Sequence, residues 1–176
     1  MDDEPVWFTG AEPRNDAEAC YLATVRELAP SWDVAGLRPE QTSVLTVLTP
    51  LLLTVQLVGL PADVALQVGY WFDPPRGPGL EGEWGDRYLL DAHLDGADGL
   101  TVFGLTAAPE EFAAWTADWL LAQLRRPVER LDWADPDGRV TASQWRLADT
   151  GLPLTREGRR SWRRRRRPPD RVERVR

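Results

Sequence analysis

The sequence contains no lysine and no isoleucine, and only one cysteine (Cys20), one histidine (His93) and one asparagine (Asn15). A single cysteine excludes an intramolecular disulfide framework and a multi-cysteine zinc site. A single histidine excludes paired-histidine metal motifs such as H-E-x-x-H. Without lysine there is no phosphate loop of the G-x-x-x-x-G-K type, and no G-x-S-x-G nucleophile elbow occurs. The start, Met1-Asp2-Asp3-Glu4-Pro5, lacks the basic and apolar regions of a secretory signal. Together with an unpaired cysteine, this makes a reducing, cytoplasmic setting the expectation. The missing residue types, set against abundant Ala, Leu, Arg, Gly and Pro, read as coding in a GC-rich bacterial genome. Arginine in place of lysine is therefore not evidence of selection for phosphate binding.

What is present is globular. The 176 residues are 43% hydrophobic and 28% charged, with nine tryptophans, which excludes a wholly disordered chain. The net charge of -7 conceals two parts: residues 156–176 carry +8 and the rest -15. From Gln41 to Ala62 there is no charge, close to the length of a membrane span. Pro50, Pro61 and the threonines break it, and Leu51, Leu53, Val55 and Leu57 alternate with period two. A buried strand pair over 43–58, bent at Pro50, is the expectation.

The remaining elements follow from punctuation and period. Residues 1–14 form an acidic, irregular lead, with Trp7 and Phe8 available to dock. Asn15 caps a helix over 16–29, with Glu18 completing something close to a capping box. Val64, Leu66, Val68, Tyr70 and Phe72 share one face of a strand over 63–72. Asp73 to Asp86 reads as one long Pro/Gly loop. Tyr88, Leu90, Ala92 and Leu94 define a strand, and Gly96–Gly99 turns it back into 100–105. Pro109-Glu110-Glu111 opens a second helix, closed by Arg125, Arg126 and Pro127. Strands at 128–133 and 139–147 flank the turn Asp135-Pro136-Asp137-Gly138. The fold class expected is α+β: an antiparallel sheet of four to six strands with two helices packed on one face. Residues 15–154 make the single domain, and 155–176 a flexible Arg-rich tail.

Several clusters bear on chemistry. Asp91, His93 and Asp95 share a strand face, where a metal or a general base could sit, although a wet strand face explains them as well. Trp71, Asp73, Glu81, Glu83, Trp84 and Asp86 bracket the Pro/Gly loop and are the expected contacts for a protein partner. Cys20 lies within the first helix as inert packing. Trp115 and Trp119, at i and i+4, read as core. In the tail, Arg159, Arg160, Trp162, Arg163, Arg164, Arg165, Arg166 and Arg167 are suited to a polyanion, to the acidic body, or to solvent. No catalytic set emerges, and neither cofactor nor metal is implied. The sequence therefore points to a non-catalytic bacterial protein-binding module of immunity, chaperone or assembly-subunit type. A nucleic-acid-associated protein using the tail is the alternative, and a hydrolase or metal enzyme at Asp91 and His93 a distant third.

Overall fold

The structure is a computed structural model. It describes residues 5–46, 50–72, 77–86, 90, 96–154 and 167–176. The strands are β1 (Thr9–Gly10), β2 (Thr42–Leu45), β3 (Leu51–Val55), β4 (Val64–Trp71), β5 (Gly79–Asp86), β6 (Gly99–Phe103), β7 (Val128–Ala134), β8 (Val140–Leu147) and β9 (Arg171–Arg174). The helices are α1 (Asp16–Leu28) and α2 (Pro109–Leu124). Strands β1 to β6 form one six-stranded sheet in chain order, antiparallel except where β1 lies parallel to β2. Strands β8, β7 and β9 form a second, three-stranded sheet. The α+β class and the mainly antiparallel sheet match the expectation.

Both helices begin where the capping signals place them. The Asn15 side chain accepts from Glu18 N at 2.9 Å. The reciprocal bond is displaced by one residue, since the Glu18 carboxylate takes Arg14 N rather than Asn15 N. In α2 the Glu111 carboxylate takes Ala108 N, and Ala108 has no side chain to return the bond. Pro127 follows the last turn and prevents continuation.

One face of the large sheet lies against the helices. The strand register places Val44, Leu53, Val68 and Gly82 in one row, and Val55, Leu66 and Trp84 in the next. Tyr21 of α1 stacks on Tyr70 of β4, with centroids 4.2 Å apart. From α2, Trp119 lies over Gly82, so closely that a Cβ there would sit 2.9 Å from its ring. Gln123 of α2 accepts from the Trp84 indole at 3.1 Å. The charge-free stretch forms the β2–β3 hairpin of this core, with Leu51, Leu53 and Val55 fully buried. No helix among the described residues is long and apolar enough to cross a membrane.

The amino-terminal lead docks, as Trp7 and Phe8 allow. Phe8 is fully buried at φ 52°, and Arg26 fixes it by donating to the Trp7 and Phe8 carbonyls. Two other expectations are corrected. Residues 79–86 are not a loop but β5, paired with β4 on one side and β6 on the other. Glycine and glutamate are poor strand formers, yet here Gly82 makes room for Trp119 and Gly79 for Phe103. Secondly, β6 pairs with β5, a neighbour the expectation did not give it. Residues 87–89 and 91–95, which include most of the strand expected from Tyr88 to Leu94, lie outside the described residues; Leu90 rests against Gly69 on the sheet face away from the helices.

The expected tail also contains a strand. β9 pairs antiparallel with β7, Asp170 N donates to Asp132 O, and Val175 N donates to Val128 O. Val175 also reaches the turn at Gly59 of the large sheet. The arginine-rich stretch is therefore followed by a docked segment rather than a free end. Before it, Leu154 is fully buried and donates to Trp145 O.

Candidate functional site

The carboxyl end of β4, the start of β5 and the end of β6 meet at one corner of the large sheet. The register sets Trp71 beside Gly79 and Gly79 beside Phe103. Their side chains rise from the face opposite the helices. Gly79 has no side chain, so Phe103 lies over its backbone; a Cβ on Gly79 would run into the Phe103 ring. The Trp71 and Phe103 rings meet at 5.5 Å, tilted by 56°. Both remain half-buried. Beyond the strand ends Phe72 is 42% exposed and Leu105 50% exposed. Each ring of the pair is thus followed in sequence by an exposed apolar side chain, Phe72 next to Trp71 and Leu105 two residues after Phe103.

The structure disperses the expected loop residues. Trp71 belongs to this corner. Glu81 lies one step along β5 on the same face, opposite Thr101. Glu83 shares that face but is fully buried, in a row with Thr54 and Gln67 that is equally buried. Trp84 points the other way, into the helix-covered core. Asp86 closes β5, and its backbone carbonyl accepts from Gln67 Nε2 at 2.9 Å. Buried Trp84 and Glu83 are consequently removed from the expected contact surface. Asp73 lies outside the described residues.

Of the expected polyanion set, Arg159, Arg160, Trp162, Arg163, Arg164, Arg165 and Arg166 lie outside the described residues. Arg167 is placed, and it donates to the Ala134 carbonyl and to Asp170. It is occupied holding the docked segment. Asp91, His93 and Asp95 also fall outside the described residues. Among the described residues no group of three or more His, Cys, Asp or Glu is arranged to hold a metal ion.

Cys20 lies within α1 as expected, but it is not packed away. It is half-buried and turns toward α2, where its thiol donates to Glu110 Oε1 at 2.8 Å. That hydrogen bond, aided by desolvation and the Glu110 charge, pushes the thiol pKa up. The thiolate is the nucleophilic form, so the contact works against covalent catalysis. Tyr70 nearby is pushed up to about 12, by burial first and then by Glu18, Cys20 and Glu110. Trp115 and Trp119 are half-buried against the core rather than within it.

Phe103 and Leu105 are surface residues that the loop-centred reading passed over. A signal for them exists: no charge occurs from Gly99 to Pro109, a long uncharged run for a strand with one described neighbour. No protein-family model, curated protein or solved structure matches this chain.

Proposed function

We propose that this chain is a non-catalytic protein-binding module whose contact surface is the aromatic corner formed by Trp71, Phe72, Phe103 and Leu105. The observation that supports it is a half-buried aromatic pair carried by β4 and β6, each followed in sequence by an exposed apolar side chain. Exposed aromatics on a rigid frame are low-entropy anchors, because little freedom is lost when a partner covers them. The body is acidic, so a partner with an apolar patch rimmed by basic residues suits it best. An immunity, chaperone or assembly-subunit role is the kind proposed. The cytoplasm of a bacterium is the setting proposed, on the unpaired Cys20 and the GC-biased composition.

The test is capture of partners from the native host with the full chain as bait, compared with a Phe72→Ser/Leu105→Ser variant. A partner bound by the parent and lost by the variant, with unchanged melting, supports the reading. Equal capture by both would overturn it. Polyanion binding through the arginine-rich segment is the other reading, and it predicts salt-sensitive retention of RNA or DNA that the corner variant does not alter.

A further inference from the structure

The two sheets end in unlike edges. β9 is charged at Arg171, Glu173 and Arg174, and it is exposed along its whole length. Charged edge strands of this kind resist pairing with another chain. Part of the β8 edge is covered, since Leu147 N donates to Leu152 O and Leu154 N to Trp145 O. β1 is only two residues long. β6 differs from all three. It is five residues, Gly-Leu-Thr-Val-Phe, with no charge and no proline, and among the described residues only β5 pairs with it. An uncharged edge rich in apolar and β-branched residues, with ladder groups directed outward, is a template for a further strand.

The sequence of β6 also says which strand fits. Against β6, β5 sets Gly79 opposite Phe103, Leu80 opposite Val102 and Glu81 opposite Thr101. The first two residues of β6 repeat the Gly-Leu start of β5, followed by Thr101 in place of Glu81. An antiparallel pair of two β6 strands centred on Thr101 would set Gly99 opposite Phe103, Leu100 opposite Val102 and Thr101 opposite Thr101 of the second copy. Each Phe103 would then have glycine on both flanks. The first, Gly79, is the flank over which its ring already lies. Thr–Thr and Leu–Val are favourable cross-strand pairs, and no like charges oppose one another.

We infer that β6 pairs antiparallel with β6 of a second copy of this chain, about a two-fold axis at Thr101, joining two six-stranded sheets into one. Such an interface is isologous and closed, so it gives a dimer and not a fibre. The pairing uses the edge backbone of β6, whereas a partner protein would meet the side chains of the corner. Either can fail while the other stands.

The experiment is sedimentation equilibrium on the full chain, with Thr101→Lys beside the parent. Thr101 is exposed, so the lysine is tolerated in the folded chain, while two lysines would oppose each other at the axis. The expected result is a dimer whose dissociation constant rises at least about fivefold in the variant, with unchanged melting of the separated chains. Disulfide trapping provides the second measurement, in a Cys20→Ser background. Residues opposite one another across an antiparallel pair have Cα atoms about 4.5–5.5 Å apart, within disulfide reach. Thr101→Cys should therefore form a covalent dimer under mild oxidation, and Thr141→Cys, on exposed β8, should not. A monomer at all concentrations, which includes occupation of the edge by a segment of the same chain, overturns the inference. So does a dimer indifferent to Thr101→Lys, or trapping that is equal at the two positions.

Discussion

The six-stranded sheet and the three-stranded sheet hold their strands by different means. In the first, strands meet two helices through a continuous apolar layer in which Trp84, Tyr70, Leu66, Leu80 and Leu120 lose nearly all contact with water. In the second, one ion pair joins two strands, Arg146–Glu129, and two lie within a strand, Arg130–Asp132 and Arg171–Glu173, each at 2.8–2.9 Å. Apolar burial there is divided: Val128 and Leu147 reach into the same core as the large sheet, while Leu131 and Trp133 are buried apart from it. Burying a large apolar side chain contributes about 1.5–3 kcal/mol, and an exposed ion pair under about 1 kcal/mol. The large sheet should therefore set global stability, while the small sheet should open more easily and respond to pH.

The sharpest way to break this contrast is Trp84→Ala. Trp84 is fully buried, and its removal leaves both a cavity and a Gln123 oxygen without its indole donor. A loss of about 3–5 kcal/mol is expected from denaturant unfolding. A loss below about 1 kcal/mol would show that the helix–sheet layer is not the main stabiliser.

Trp119→Ala should cost less, about 2 kcal/mol, although the residue type is the same. Trp119 is half-buried, and its buried indole nitrogen has no acceptor among the described residues, which offsets part of its contribution. Combining it with Gly82→Ala is informative. A Cβ at Gly82 meets the Trp119 ring at 2.9 Å, so in the parent the methyl is strained, and with Trp119 removed the strain is relieved. Non-additivity of the two changes in a double-mutant cycle is the expected outcome. Simple addition would mean that the ring does not rest on Gly82.

These two glycine–aromatic contacts also show what could be read from the chain alone. The β2–β3 hairpin, β4, both helices and the β7–β8 hairpin were legible, because period two, period 3.6 and turn residues all agreed with the final structure. β5 was not, because Gly79, Gly82 and Gly85 look like punctuation when only neighbours in sequence are considered. Gly79 and Gly82 accept rings from Phe103 and Trp119, which are distant in sequence. Leu80, Gly82 and Trp84 do occupy alternate positions facing the core, so the period was present beneath the composition. β9 was hidden for another reason. Three of its four side chains are charged and all four are exposed, and what holds it is backbone pairing to β7, for which sequence has no signature. The candidate corner was legible only through Trp71, since Phe103 and Leu105 come to it through the unforeseen β5–β6 pairing.

Removal of residues 167–176 tests the small sheet as a unit. It deletes β9, the Asp170 contact to Ala134 N and the Arg167 carbonyl that accepts from Trp133 Nε1. Four ladder positions contribute about 0.5–1.5 kcal/mol per hydrogen bond before the entropy of ordering the segment is subtracted. The net loss expected is about 1 kcal/mol, with a red-shift in tryptophan emission as Trp133 becomes wet. Loss of cooperative melting for the whole chain would show instead that the two sheets are one folding unit.

The smallest effect, and the one most specific to the second sheet, concerns Asp132. Burial pushes its pKa up, but the Ser143 hydroxyl and the Arg130 guanidinium, with Arg171 beyond, outweigh burial and hold it below the ordinary aspartate value. A carboxylate with a lowered folded-state pKa adds stability that is complete above its unfolded pKa, near about 4. That contribution is lost as pH falls through the lower, folded value. Acidification below about pH 4 should therefore loosen β7–β8–β9 before the large sheet melts. Amide exchange of Asp132 and its neighbours would rise while that of β3 and β4 stays slow. Asp132→Asn keeps the shape and removes the charge, so its exchange should be faster than the parent at pH 7 and should change less on acidification. If Asp132→Asn showed the same acid response as the parent, titration of this buried carboxylate would not be what loosens the small sheet.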